Sequence, residues 1–116
     1  MQFENLMTND QKVKLKALMI DQCVDKESVN DEDFFYDYLT KNHAWFKNLN
    51  DNRKISIVWL ISKIGIKNFD NLQDLILCLH FFDYHLASKR ILECDYAKHF
   101  KESAEKMAQI LISGEL

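Results

Sequence analysis

The sequence predicts an all-α fold, a compact single-domain bundle of about six helices around one central buried helix. The chain has 116 residues, no proline and only two glycines, Gly65 and Gly114, so the usual turn residues of β-hairpins are missing. Its length and an apolar fraction of 47% provide one modest core. Apolar residues recur at helical spacing along most of the chain, which favours helices over strands.

Two helices are predicted within residues 1–45. Asn9 or Asp10 caps the first helix, which runs to about Cys23. Its apolar stripe is predicted to be Val13, Ala17, Ile20 and Val24. Asp31 caps the second helix, "DEDFFYDYLTKN", whose acidic start suits the positive end of the helix dipole. The side chains expected to face the core from this helix are Phe34, Phe35, Tyr38 and Leu39.

The central helix is predicted to follow Asn50 and to stop at Gly65, a residue suited to the left-handed conformation after a helix end. Its middle, "ISIVWLI", leaves little polar surface on any side. A helix that is apolar nearly all round must be wrapped by other helices, which makes this segment the centre of the bundle.

Three further helices complete the prediction. Asp70 and Asp83 are expected to cap two short ones, "NLQDLILCLHFF" and "YHLASKRILEC", and Asp95 the last. The last helix ends near Gly114 and carries a stripe of Tyr96, Phe100, Ala104, Met107 and Leu111. No repeat, linker or low-complexity tract interrupts the chain.

Charge and cysteine content narrow the functional classes. A net charge of −3 argues against direct nucleic-acid binding, and no apolar run approaches the ~20 residues that span a bilayer. We therefore expect a cytoplasmic protein with no membrane partner. Three cysteines without CxxC spacing predict buried reduced thiols at Cys23, Cys78 and Cys94, and no metal site or cofactor is predicted.

Residues 46–116 contain an ordered set of features: the Arg53-Lys54 pair on the central helix, its Ile64-Gly65 end, Phe69, and the segments "FFDYHLASKRILECDYAKHF" and "ESAEKMAQILISGE". In this order the features resemble the C-terminal lobe of phage-type, T4-like lysozymes. The resemblance implies a lysozyme-like lobe preceded by two added helices in residues 1–45. Tyr96 and Glu102-Ser103-Ala104 stand where the family has Trp and Asn-Arg-Ala, so an arginine near the lobe junction is lost.

The lysozyme active site is not found in this sequence. The family places a catalytic Glu before a Gly-rich hairpin, but no glycine precedes Gly65. A glycosidase needs two carboxyl groups roughly 5 to 9.5 Å apart across a cleft. Glu27 with Asp31, or Asp33 with Asp37, meet the spacing without a recognisable cleft. The four histidines have no HExxH spacing, so no catalytic residue is predicted.

An acidic run with interleaved aromatic residues is the predicted binding face. Residues 25–37 carry six acids against Lys26 alone, a pattern that suits a basic protein partner. The predicted binding residues are Asp31, Glu32, Asp33, Tyr36 and Asp37, with Tyr36 on the outer face of its helix. The interpretation is a non-catalytic protein-binding module, a phage or prophage accessory or inhibitor of a host protein. The alternatives are a peptidoglycan-binding protein or muramidase with a non-standard site, and an acidic nucleic-acid mimic.

Overall fold

The computed structural model describes residues 4–21 and 32–116, and it confirms the all-α fold. No strand occurs in these two ranges. The helices are α1 (Asn9–Asp21), α2 (Glu32–Asn42), a 3₁₀ helix (Ala44–Asn48), α3 (Asp51–Ile64), α4 (Ile66–Asp70), α5 (Gln73–His80), α6 (Tyr84–Glu93), α7 (Asp95–His99) and α8 (Lys101–Ser113). One core cluster takes side chains from the first of these helices to the last.

The central helix is α3, as predicted. Every residue from 55 to 61 is buried, and Trp59 is the largest of the fully buried side chains. Asn50 caps the helix, because its side chain accepts a hydrogen bond from the backbone N–H of Arg53 at 2.9 Å. Gly65 ends the helix at φ 85° and ψ 162°, a conformation that is essentially restricted to glycine.

The polar start of α3 also caps the far end of α8. Arg53 donates from Nε to the carbonyl of Leu111 at 2.8 Å, and both Asn50 and Asn52 donate to the carbonyl of Gly114. These carbonyls belong to the last turn of α8, where backbone acceptors lack partners within the helix. Gly114 adopts φ 71°, and an added Cβ would meet the Asn50 amide at 2.8 Å. The hydrogen bonds from Asn50, Asn52 and Arg53 therefore join α8 to the central helix α3.

The predicted helices are divided more finely than expected. The predicted cap of the fourth helix, Asp70, is instead the last residue of α4, and α5 starts after Leu72 without a side-chain cap. The predicted last helix is two helices, because Phe100 breaks it with φ −132° and ψ 60°. Asp83 does cap α6 as predicted, by accepting from the N–H of Leu86 at 3.1 Å.

The faces of the first two helices differ from the predicted ones. In α1 the buried side chains are Gln11, Leu15 and Leu18, whereas Val13 and Ala17 are exposed. Gln11 turns inward because its amide donates to Asp51 at 3.1 Å, which ties α1 to the start of α3. The side chain of Ile20, like the whole of Val24, lies outside the described residues. In α2 Leu39 is buried as predicted, and Phe34 is exposed.

Two further expectations concern thiols and membrane segments. Cys78 and Cys94 are buried free thiols, as predicted, and Cys23 lies outside the described residues. Burial raises the pKa of the Cys78 thiol, which makes it a weak nucleophile. Across residues 4–21 and 32–116, no helix has the length and apolar character needed to cross a bilayer.

Candidate functional site

The acidic residues of α2 bind the chain's own N-terminal strap (residues 4–8). Asp37 accepts from the backbone N–H of Asn5 at 3.0 Å and from its side-chain amide at 3.2 Å. Asp33 accepts from the N–H of Met7 at 3.2 Å and pairs with Lys12 at 2.9 Å. Two of the predicted binding carboxylates are therefore hydrogen-bonded within the chain.

Glu32 and Asp37 in α2 are both buried, but their pKa values are shifted in opposite directions. Burial raises the pKa of Glu32, although Lys12 and Lys16 oppose the rise, and one of its oxygens has no hydrogen-bond partner among the described residues. Burial also disfavours the charged form of Asp37. There the hydrogen bonds from Asn5 and Lys41 outweigh burial, and the pKa is lowered. Asp31 lies outside the described residues.

Tyr36 was predicted to lie on the outer face of α2, and this placement is wrong. Its ring is half-buried against the core and meets Phe46 edge to face, with ring centroids 5.2 Å apart. The exposed aromatic side chain of this helix is Phe34. The helix is rotated relative to the predicted orientation because Asp33 and Asp37 must face the N-terminal strap. The binding role of these residues stays a prediction.

A second aromatic surface lies where α5 ends. Leu77, Phe81 and Phe82 are 56%, 68% and 51% exposed, and we name these three residues the aromatic turn. Leu77 and Phe81 are one helical turn apart, and the N–H of Phe81 donates to the carbonyl of Leu77 at 3.1 Å. Three large apolar side chains therefore reach solvent together within six residues of sequence.

The backbone of the aromatic turn forms a Schellman motif. The N–H of Asp83 donates to the carbonyl of Cys78 at 2.9 Å, and that of Phe82 donates to the carbonyl of Leu79 at 3.2 Å. This arrangement places Phe82 at the position where glycine is usual, and its φ is 60°. No other non-glycine residue among those described has a positive φ. A bulky L-residue in this conformation is strained by about 1–2 kcal/mol.

An open groove of about 460 Å³ adjoins the aromatic turn. It separates α5 from the 3₁₀ helix, and Leu77 lines it as well as belonging to the turn. Ile76, Ala44 and Trp45 supply apolar lining, and the polar lining comes from Asn42, His43, Asp70, Gln73 and His80. A groove of this size accepts one large side chain from a partner.

A polar network holds one wall of the groove in place. Asp70 accepts a hydrogen bond from the Tyr38 hydroxyl and lies 3.2 Å from Nε2 of His43. Burial and the bond to Asp70 raise the pKa of Tyr38 to about 12. The His43 ring packs between Trp45 and Phe69, at centroid distances of 5.2 and 5.8 Å. The network therefore links α2 and the start of the 3₁₀ helix to α4 beside the groove.

The sequence prediction missed the aromatic turn because "LHFFD" continues a helical apolar pattern. The detectable signal is the capping residue Asp83 directly after two phenylalanines, with no glycine or asparagine to end the preceding helix. Within the described ranges, no group of three or more His, Cys, Asp or Glu side chains is arranged to hold a metal ion. Comparison with protein-family models, curated proteins and solved structures finds no match for this chain.

Proposed function

We propose that this chain is a non-catalytic protein-binding module and that the aromatic turn is its docking surface. The observation that carries this proposal is the exposure of three large apolar side chains, Leu77, Phe81 and Phe82, within six consecutive residues. Among the residues that the structure describes, the other exposed large apolar side chains lie one or two to an element: Leu6, Val13, Phe34, Leu92, Phe100, Ile112 and Leu116. Isolated exposed apolar residues are ordinary, whereas a contiguous group with two aromatic rings is typical of an interaction site.

The strain at Phe82 supports the same proposal. Glycine at this position would form the same helix end without the steric conflict of a Cβ. The phenylalanine gains little burial in return, because half of its side chain remains exposed. Aromatic side chains supply much of the binding energy at protein interfaces, so a partner that covers Phe81 and Phe82 would offset the local strain.

The proposal retains the lysozyme-like origin of residues 46–116. The buried middle of α3 and the capping of α8 by Arg53 support it, because they belong to a closed helical lobe. We propose that the protein is a phage or prophage accessory protein or an inhibitor of a host protein. Catalysis by Asp33 and Asp37 is not part of it, since both serve the N-terminal strap, and we expect no clearing of a peptidoglycan suspension.

Site-specific photo-crosslinking in cells of the source organism tests the docking surface. A photoreactive phenylalanine analogue replaces Phe81 in one variant and Phe100 in a matched control. Phe100 is 54% exposed and lies between α7 and α8, away from the turn in sequence. We expect adducts from position 81 that excess wild-type protein suppresses, and few from position 100. Equal adducts from both positions would contradict the proposal.

The competitor in this experiment has its own control. Unlabelled protein with Leu77→Ser and Phe81→Ser is expected to leave the adducts at position 81 unchanged, because it lacks the docking surface. Both side chains are more than half exposed, so the variant should keep its fold. Suppression by this variant as strong as by the wild-type protein would show that the adducts arise without the aromatic turn.

A further inference from the structure

We infer that the segment docking on the aromatic turn is an amphipathic helix rich in lysine or arginine. This inference rests on the proposed function and adds the chemical class of the partner. Its apolar side chains would contact Phe81 and Phe82 and enter the groove beside Leu77, and its basic side chains would meet the carboxylates around them. The support comes from the distribution of charge, the absence of a sheet edge among the described residues, and the size of the groove.

The charge around the aromatic turn is negative. Between Lys67 and Lys89 the chain has three acids, Asp70, Asp74 and Asp83, and no lysine or arginine. Asp74 and Asp83 are exposed, and they flank the turn on its two sides in the sequence. Asp74 lies three residues before Leu77 and lines a second groove with Arg90, whereas Leu77 lines the groove beside the 3₁₀ helix. A partner with positive charge around an apolar centre matches this arrangement.

Two arginines of other helices already have partners. Arg90 lines a second groove together with Asp74, but its guanidinium donates to Glu93 at 2.7 Å. Arg53 lies 4.0 Å over the ring of Tyr84, and it donates to the last carbonyls of α8. Arg90 also attracts Asp74 electrostatically and offsets part of its charge, so the exposed Asp83 is the more available carboxylate at the turn.

A helical partner segment suits this surface better than one that adds a strand. Strand addition requires an exposed sheet edge, and no strand occurs in residues 4–21 or 32–116. A helix satisfies its own backbone and presents apolar residues three and four positions apart. Leu77 and Phe81 have this same spacing on α5, so ridges of two helices can pack together at this point.

A second copy of this chain is a poor occupant. Two copies meeting through the turn would bring Asp74 and Asp83 of one copy against the same residues of the other. Like charges opposed across an interface weaken association. The net charge of −3 adds to that repulsion at low salt. Charge complementarity therefore selects a basic partner over self-association.

Two synthetic peptides of about 16 residues test the inference with purified full-length protein. Both carry leucine or phenylalanine at helical spacing, and the other positions are lysine in one peptide and glutamate in the other. Fluorescence anisotropy gives the Kd at salt concentrations from about 0.03 M to about 0.3 M. We expect the lysine peptide to bind at least ~10-fold tighter than the glutamate peptide at low salt, with an advantage that shrinks as salt rises.

Substitutions locate the charge effect. Asp74→Asn with Asp83→Asn is expected to weaken the lysine peptide ~3- to 10-fold and to flatten its salt dependence, while asparagine keeps the cap on α6. Asp10→Asn with Glu105→Gln removes the same charge elsewhere and should change the Kd less than ~2-fold. An equal effect of the two double variants would overturn the inference, because general attraction to an acidic protein would then account for binding.

The outcomes separate this inference from the proposed function. If both peptides bind equally and Phe81→Ser abolishes both, the basic partner is excluded and the aromatic turn remains the docking surface. If the lysine peptide binds and Phe81→Ser has no effect, the docking surface itself is wrong and the inference falls with it. If neither peptide binds the wild-type protein, a basic amphipathic helix is not the partner.

Discussion

The strain at Phe82 predicts an inverted order of stability for two small substitutions at one position. Phe82→Ala and Phe82→Gly both remove the ring, so the loss of its partial burial is common to the two. Alanine must keep a Cβ at φ 60°, which is unfavourable by about 1–2 kcal/mol, whereas glycine is not strained there. Glycine gains more freedom in the unfolded chain, worth about 0.5–1 kcal/mol against it. The glycine variant should therefore be more stable than the alanine variant, by about 0.75 kcal/mol at the midpoints of these two ranges.

Urea denaturation followed by circular dichroism measures this difference, and an ordinary helix position provides the control. Lys89 is exposed within α6, and there Lys89→Ala should be more stable than Lys89→Gly by about 1 kcal/mol. The sign of the glycine–alanine difference thus reverses between positions 82 and 89. An alanine variant at position 82 that is as stable as the glycine variant, or more so, would refute the left-handed conformation and the strain argued from it.

The remaining predictions concern the core, a buried hydroxyl and the N-terminal strap. Trp59→Ala should lower the free energy of unfolding by ~3–5 kcal/mol, because the side chain is fully buried at the centre of α3; an unchanged urea midpoint would contradict its placement. The raised pKa of Tyr38 means that its stabilising neutral form persists in the fold above the ordinary pKa of 10.0, so wild-type stability should fall between pH 10 and 12 more steeply than that of Tyr38→Phe; parallel curves would exclude the effect. The lowered pKa of Asp37 implies stabilisation that is present above its ordinary pKa of 3.8 and is lost as pH falls through the folded value. Asp37→Asn at neutral pH should therefore speed hydrogen exchange at the backbone amide of Asn5. Equal exchange rates in the variant and the wild-type protein would show that Asp37 does not hold the N-terminal strap.

Local sequence signals predicted the parts of the fold that depend on nearby residues. Asn50 caps α3 through an amide three residues away, and Asp83 caps α6 in the same way. Gly65 and Gly114 both end helices with positive φ, as their residue type predicts. The burial of α3 followed from its largely apolar middle, which only surrounding helices can cover.

Contacts between distant parts of the chain determined what the sequence could not predict. Asp33 and Asp37 were predicted to face a basic protein partner, but their partners in the N-terminal strap lie 26 and 32 residues away in the same chain. No local pattern encodes such pairing, so the rotation of α2 and the burial of Tyr36 were unpredictable from its helical spacing. Asp70 was predicted to cap a helix, because the local sequence gives no sign of its distant partners. In the fold its carboxylate instead accepts a hydrogen bond from Tyr38 and lies beside the ring of His43.

The central claim is that Leu77, Phe81 and Phe82 serve binding and not folding. Its most direct measurement compares Leu77→Ser/Phe81→Ser with the wild-type protein in two assays, urea unfolding and competition for the partner crosslinked at position 81. We predict a free energy of unfolding within about 1 kcal/mol of wild type, since the exposed side chains contribute little to the core, together with a loss of competition. A folded variant that competes as well as the wild-type protein would contradict the claim. Destabilisation by more than about 3 kcal/mol would also contradict it, because these side chains would then belong to the core.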